Sequence, residues 1–271
     1  MILRVGRQTL VGAAPYAAAL VAFAGHSSVQ AQTLEDLGGM SIDELAQVNV
    51  SSVSKTDQPL GDAPAAIYVI SHEDIVRSGA ASIPEMLRLA PNLQVAQQTP
   101  AKWVVSARGL SGSPAAQNFA NKLLVLVDGR AVYTPLFSGV YWDLPDVLPD
   151  NVDRIEVISG PGATLWGANA VNGVINIITR NSAETGGGVY ADVRAGPERQ
   201  LGGLRFGGSL GEQATFRAHV RVMREDAFET AGGLSAEDEW RRTGGGFRFD
   251  WTPSAADQVS LIGELSGGRL E

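Results

Sequence analysis

The sequence predicts two consecutive folds: a small α+β domain, with a mixed sheet and short helices, and then the first ~5 antiparallel strands of a transmembrane β-barrel. Three observations lead to this prediction. Short apolar and β-branched runs alternate with helix-capping patterns between residues 63 and 180. A glycine-dense bend joins two strand patterns within residues 154–180. From residue 188 onward, segments of about ten residues alternate apolar and polar side chains.

The composition excludes several classes of protein. The 271 residues include no cysteine and three histidines, which leaves little for a disulfide framework or for a zinc or haem site. Without Arg4 and Arg7, 19 basic residues face 29 acidic ones, a balance that argues against nucleic acid as a partner. No nucleophile or metal set accompanies the acidic residues. We therefore expect neither an enzyme nor a resident cofactor.

Residues 1–31 are predicted to be a signal peptide. Two arginines precede an apolar stretch over residues 9–24, and Val29-Gln30-Ala31 fits a cleavage site. A membrane anchor is the alternative, but glycine and proline interrupt the stretch, and it is shorter than the ~20 residues of a spanning helix. Export of a cysteine-free chain fits the envelope of a Gram-negative bacterium.

Residues 32–58 are predicted to be a periplasmic segment that contains one strand-forming stretch. Apolar and small polar side chains alternate over Val48, Asn49, Val50, Ser51, Ser52 and Val53. An unpaired strand can add to the edge of another protein's sheet. An ordinary linker is the alternative interpretation.

The α+β domain is predicted to begin with a strand over residues 65–70. Ser71-x-x-Asp74 then caps a helix that Gly79 ends, and Ser82-x-x-Glu85 caps a second one. The apolar residues of the second helix share one face and are therefore expected in the core. Further strands are predicted at residues 93–97, 103–108 and 123–127.

The stretch RIEVISGPGATLWGANAVNGVINIITR over residues 154–180 predicts two strands around a tight bend. Its Gly-Pro-Gly could be taken for a phosphate-binding loop. Such loops need a GKS/T ending or a GxGxxG that opens a helix, and this sequence has neither. The residues that define the stretch are Gly160, Pro161, Gly167, Asn169 and Gly173.

Five charged residues lie in or beside apolar strands: Arg108, Asp128, Arg130, Arg154 and Glu156. Buried charges must be paired. We therefore expect them to pair with one another or with carboxylates of the barrel wall, as structural or switch residues. Asp128 also precedes Gly129 in a turn pattern, so turn formation is an alternative role for it.

The five alternating segments from residue 188 each present one apolar and one polar face. A soluble sandwich would also alternate, but it seldom places arginines in series on the polar face. The long connection over residues 225–239 falls outside the cell if the first strand starts in the periplasm, and the short connections fall inside. Five strands cannot close a barrel. The sequence is therefore expected to be a fragment or a truncated product.

Residues 155–179 resemble the end of the plug domain of TonB-dependent outer-membrane receptors, where IEVI-GP is followed by YG-A-GGVINIIT. Residues 62–96 and 123–143, the latter including LLVLVDGR, resemble the same domain. Ser159 stands where most members carry Arg or Lys. The resemblance implies a plug domain over residues 59–184 and the incomplete start of the receptor barrel over residues 185–271.

The resemblance also implies a function. Such receptors lie in the outer membrane, in contact with its lipid, and keep their N-terminus in the periplasm. They import a large, scarce nutrient, most often a ferric siderophore, with energy delivered by TonB and the ExbB/ExbD complex. The stretch over residues 48–53 occupies the place of the TonB box, and a metal would arrive only within the ligand. The alternative is a truncated, plug-containing periplasmic binding or interaction protein without transport activity.

The plug loops over residues 110–121 and 134–142 are expected to form outward tips that meet an extracellular metal chelate or similar ligand. Within them Phe137, Tyr141 and Trp142 are candidate ligand contacts. Packing within the plug is an equally good interpretation of each aromatic residue.

Overall fold

Two sheets of different character make up the described part of the chain. The computed structural model describes residues 49–50, 58–59, 65–109, 122–133, 139–143, 145, 147–160, 166–254 and 257–270. All of them belong to one compact unit, Ile42–Glu271. The predicted signal peptide lies outside the described residues.

The first sheet is mixed. Its strands are β3 (Ala66–Ser71), β6 (Leu123–Val127), β7 (Arg130–Ala131), β8 (Val152–Ser159) and β9 (Gly173–Thr179). They lie in the order β3-β8-β9-β6-β7, with β6 and β9 parallel and the other neighbours antiparallel. Two antiparallel pairs stand apart from it: β1 (Asn49–Val50) with β2 (Gln58–Pro59), and β4 (Leu93–Gln97) with β5 (Trp103–Ala107).

Two short α-helices follow β3, and capping side chains fix where they start. In α1 (His72–Ser78) Ser71 and Asp74 form the predicted capping box, and Gly79 ends the helix at φ +68°. In α2 (Ile83–Leu87) the hydroxyl of Ser82 accepts from the Glu85 amide. The Glu85 carboxylate accepts from the Ala81 amide, so the second predicted capping box is only half formed. A 3₁₀ helix, Pro149–Asn151, precedes β8.

The core of this domain lies on both sides of β6. Leu123, Val125 and Val127 pack into one hydrophobic cluster, with α1, α2 and the β4–β5 hairpin. Leu124 and Leu126 pack into a second, smaller cluster on the other face. A strand covered on both faces is apolar at every position, as this one is. The predicted α+β domain with a small mixed sheet is confirmed.

The second sheet consists of five antiparallel strands in sequence order: β10 (Gly188–Ala195), β11 (Arg199–Ser209), β12 (Ala214–Glu225), β13 (Trp240–Ser254) and β14 (Asp257–Leu270). We call this sheet the wall, and residues 65–180 the inner domain. The connections are short except for residues 226–239, between β12 and β13. None of the helices that the structure describes is long and apolar enough to cross a membrane.

The wall turns its apolar face outward. Val193 is 79% exposed and Leu265 is 82% exposed. On the opposite face Arg217 and Asp250 are only 4% and 3% exposed, because the inner domain covers them. A soluble sandwich would bury the apolar face instead. The prediction of barrel strands with an apolar outer face is confirmed.

Gly173 marks a close approach of backbone to backbone. Its φ is +155°, and a Cβ atom at this position would lie 2.6 Å from the carbonyl oxygen of Ile158 on the paired strand β8. Neither atom can move without breaking the pairing of β8 and β9. A side chain is therefore excluded at the start of β9.

We predict that Gly173→Ala lowers the free energy of unfolding of the inner domain by about 3 kcal/mol, because strain and a backbone clash add together. Urea unfolding of the full-length protein in detergent, followed by tryptophan fluorescence, measures this free energy. Gly187→Ala is the matched control, since its Cβ would have no neighbour closer than 3.8 Å. Equal free energies of unfolding for Gly173→Ala and Gly187→Ala would contradict the conclusion that a side chain is excluded at the start of β9.

Candidate functional site

The candidate site is the interface between the wall and the inner domain. Arginines on the polar face of β10–β13 donate hydrogen bonds to the inner domain along the full height of these strands. They are Arg194, Arg199, Arg205, Arg217, Arg221 and Arg248. Arginines in series on this face are evident from the sequence, but their partners are not.

Thr179, at the end of β9, is the centre of one group of contacts. Its hydroxyl accepts from Arg217 Nη2 at 3.0 Å and from Arg248 Nη1 at 2.9 Å. The same hydroxyl donates to Asp128 Oδ2 at 2.9 Å, and the Thr179 amide donates to Asp128 Oδ1 at 2.8 Å. Arg217 also donates to the carbonyl of Arg180. One threonine thus joins two wall arginines to a turn of the inner domain.

Asp250 of β13 holds the segment that follows β9. Its carboxylate accepts from the amide and hydroxyl of Ser182, at 2.8 and 2.6 Å, and from Ser260 at 2.6 Å. Arg248 Nε lies 2.9 Å away. A buried carboxylate needs several donors of this kind. The Ser182 hydroxyl also lies 2.6 Å from that of Thr215.

Arg205 of β11 contacts the 3₁₀ helix. Its Nη1 lies 2.6 Å from Asp150 Oδ2 and 2.7 Å from Asn151 Oδ1, and Nη2 donates to the carbonyl of Thr185 at 3.2 Å. Arg205 is 7% exposed. Its hydrogen-bond partners therefore lie outside the wall, while the ring of Tyr190 on β10 lies 4.8 Å from its guanidinium carbon.

A separate group of contacts lies near the long connection. Arg199 pairs with Glu85 at the start of α2 and, at 3.0 Å, with Glu225 of β12. Gln97, at the end of β4, donates to Glu225 at 2.9 Å. Arg221 donates to the carbonyl of Ala81. The helix α2 and the β4–β5 hairpin are thereby fixed to the wall.

The five charged residues that were singled out from the sequence have different surroundings in the structure. Arg154 lies 2.6 Å from Asp153 and 2.9 Å from the fully buried Glu156. Burial alone would lower the pKa of Arg154, but the two carboxylates outweigh it and raise the pKa. Arg130 reaches the wall, 2.9 Å from Glu264 of β14.

Asp128 combines a turn with a contact to the wall. It has φ +48° and Gly129 has φ +76°, as the two central residues of the tight β6–β7 hairpin. Its carboxylate lies 3.9 Å from Arg248. Arg108 and Arg130 differ from the other three. Both are exposed, Arg108 in a turn with φ +58°, so the expectation that they are buried charges was wrong.

The residues of the 154–180 stretch serve to position backbone. A Cβ on Gly160, at φ +124°, would lie 3.3 Å from the Arg108 guanidinium. Gly167 and Asn169 lie in the turn before β9, and Gly167 has φ +83°. Pro161 lies outside the described residues.

The three aromatic candidates have different surroundings. Trp142 is 4% exposed and packs in the larger core cluster, which favours the alternative interpretation of packing within the plug. Burial raises the pKa of the adjacent Asp143. Tyr141 is half-buried and lines a cavity of about 660 Å³ between the inner domain and β12–β14, together with Tyr133 and His219. Phe137 lies outside the described residues.

The predicted partner-binding strand is already paired within the chain. Asn49 and Val50 pair antiparallel with Pro59 and Gln58, and Val50 is fully buried. The expectation of an unpaired strand was therefore wrong for these two residues. Val48, Ser51, Ser52 and Val53 lie outside the described residues.

A sheet with an exposed apolar face, and a separate domain hydrogen-bonded to its polar face, defines a membrane β-barrel that carries an internal domain. Among the described residues no group of three or more His, Asp or Glu could hold a metal ion. Many polar atoms of the interface instead pair with one another.

The chain carries a plug domain like that of the TonB-dependent receptors of the Gram-negative outer membrane. The family profile described as TonB-dependent Receptor Plug Domain matches residues 59–174. The chain is 32% identical over 152 residues to the vitamin B12 transporter BtuB of Vibrio vulnificus, covering 56% of this chain and 23% of that protein. It is 30% identical to the iron-regulated outer membrane virulence protein of Vibrio cholerae, covering 65% and 27%.

Two solved structures have a fold similar to that of this chain. The pyoverdine outer membrane receptor FpvA of Pseudomonas aeruginosa PAO1 matches with a TM-score of 0.63 at 16% identity, covering 80% of this chain and 30% of that one. The copper transporter OprC matches with a TM-score of 0.59 at 20% identity, covering 75% and 30%. The chain spans between 23% and 31% of the length of the curated relatives it matches.

We predict that Thr179→Val loosens the inner domain from the wall, because valine keeps the shape but removes the hydroxyl that accepts from both arginines. The urea midpoint of inner-domain unfolding should fall by an amount corresponding to about 2 kcal/mol. Thr243→Val, at an exposed position of β13, is the control and should leave the midpoint unchanged. Identical midpoints for both variants would show that Thr179 does not hold the interface.

Proposed function

We propose that the protein is a receptor that imports a large, scarce nutrient across the outer membrane, with energy delivered by TonB. One observation carries this proposal: the inner domain is held to the polar face of the wall by hydrogen bonds and ion pairs, and not by an apolar core. Net hydrogen-bond energies are small because water can replace each partner. A domain held in this way can be displaced and can return.

The proposed cargo is a metal chelate, with a ferric siderophore as the first candidate. Siderophore receptors are among the proteins of similar fold, and relatives named as vitamin B12 transporters keep cobalamin as the second candidate. Both cargoes carry their metal with them, so the receptor needs no metal site of its own. The cavity beside Tyr133 and Tyr141 supports passage of a chelate along this side of the inner domain.

The proposed contact with TonB is the strand at Asn49–Val50, within the predicted stretch over residues 48–53. In the resting protein its partner is Gln58–Pro59. Proline donates no backbone N–H, so this pairing is short and incomplete. A strand of TonB could replace it by β-strand addition, and ExbB and ExbD would supply the energy.

The second candidate is a plug-containing periplasmic binding protein without transport activity. The wall argues against it. Val189, Val193 and Leu265 are each more than two-thirds exposed, on a face that water would not tolerate as a continuous surface. Lipid is the environment that suits this face.

We predict that Val50→Pro abolishes energised uptake and leaves ligand binding intact, because proline removes a strand donor without touching the interface. The full-length gene is expressed in cells that lack their own receptors, and uptake of radiolabelled ferric siderophores and cyanocobalamin is measured beside binding at 0 °C. Val50→Ile is the control that keeps the strand. Normal uptake by Val50→Pro would remove the TonB contact from this segment. Uptake of no metal chelate by the wild type would remove the proposed cargo class.

A further inference from the structure

Three wall arginines form a compact group on neighbouring strands. Arg217 and Arg221 are four residues apart on β12, with His219 between them, and all three point inward. Arg205 of β11 lies directly opposite His219. Residues two apart on one strand face are about 7 Å apart. We call Arg205, Arg217 and Arg221 the basic strip.

The basic strip differs from the other wall arginines in the groups that balance its charge. Arg194, Arg199 and Arg248 each have a wall carboxylate, at 3.1, 3.0 and 2.9 Å, and keep it if the inner domain moves. Arg205 and Arg217 bind the inner domain and the segment that joins it to β10. Within the residues that the structure describes, neither has a wall carboxylate in ion-pair distance.

Most of the acceptors on the inner domain are neutral. Arg217 donates to the Arg180 carbonyl and the Thr179 hydroxyl, and Arg221 donates to the Ala81 carbonyl. Arg205 in addition reaches a carboxylate, that of Asp150. The strip therefore keeps its positive charge at rest, with several of its donors engaged by the inner domain. Displacement of the inner domain exposes donors as well as charge.

Glycines flank the basic strip. Arg217 lies opposite Gly207, and Arg221 lies between Gly203 and Gly244. Gly246 lies opposite His219. The inner face of the wall is therefore poor in side chains on these sides of Arg217 and Arg221. On the other sides wall residues remain: the Arg205 guanidinium lies over the ring of Tyr190, 4.8 Å from its centroid, and Arg217 lies opposite Arg248.

We propose that the basic strip is an anion-binding track, which the inner domain covers at rest and which takes the acidic groups of the cargo after displacement. Guanidinium groups bind carboxylates bidentately, and they accept other anionic oxygens in the same way. The strip thus selects an anionic metal chelate over a neutral one. This inference rests on the proposed import function for its biological role, but the charge selectivity of the opened wall can be measured without it.

The test uses the full-length receptor in a planar bilayer, with urea applied to displace the inner domain, and measures the Cl⁻ to K⁺ permeability ratio. Arg217→Gln and Arg205→Gln should each lower this ratio by about threefold, because a charged wall concentrates counter-ions. Arg217→Lys should retain the wild-type ratio, since it keeps the charge. Arg241→Gln is the control, on an exposed side chain near the long connection. Equal ratios for Arg217→Gln and Arg241→Gln would overturn the proposal.

A second readout separates the track from the import function. In cells, Arg217→Gln should slow uptake of ferric citrate several-fold and leave its binding at 0 °C unchanged, while Arg217→Lys restores uptake. If the wild type imports no chelate but the permeability ratio still falls in Arg217→Gln, the import function fails and the track stands. If uptake occurs and both variants match the wild type in both assays, the track fails and the import function stands.

Discussion

Hydrogen bonds from wall guanidinium groups to the inner domain are the interaction on which the described structure depends. Many of the acceptors are backbone carbonyls, as at Gly79, Ala81 and Arg180, or the hydroxyl of Thr179. An ion pair broken inside a protein leaves two charges to be hydrated. A guanidinium that leaves a carbonyl exposes only one charge, on a group that is weakly hydrated from the start. Hydrogen bonds of this kind fix the position of the inner domain and still cost little free energy to break.

The same five strands meet two environments because their side chains alternate. Outward positions carry valine, leucine and phenylalanine, which suit lipid, and inward positions carry arginine, aspartate and serine, which suit the inner domain. A register slip of one residue would exchange the two sets. The interface with the inner domain therefore also fixes the register of the wall, since Arg205 and Asp250 reach their partners only in this pairing.

Local features could be predicted from the sequence, and long-range contacts could not. The capping box of Ser71 and Asp74 spans three residues, and the alternation of β10–β14 is a property of each strand alone. The contact of Arg221 with Ala81 spans 140 residues, and no periodicity encodes it. The surroundings of Trp142 and Arg108 could not be predicted for a related reason. Aromatic and charged residues suit both core and surface positions, and only the packing of distant elements decides between them. The pairing of Val50 with Gln58 was missed because two-residue strands carry almost no pattern.

A double-mutant cycle on Arg205 and Asp150 tests the central claim most directly. The two side chains lie 2.6 Å apart and connect the wall to the 3₁₀ helix of the inner domain. Arg205→Met, Asp150→Asn and the double variant are made in the full-length receptor, and the urea stability of the inner domain is measured for each. If the wall arginines hold the inner domain, the coupling energy is about 1 kcal/mol or more. Additive effects of the two substitutions would show that the inner domain is not held by these contacts.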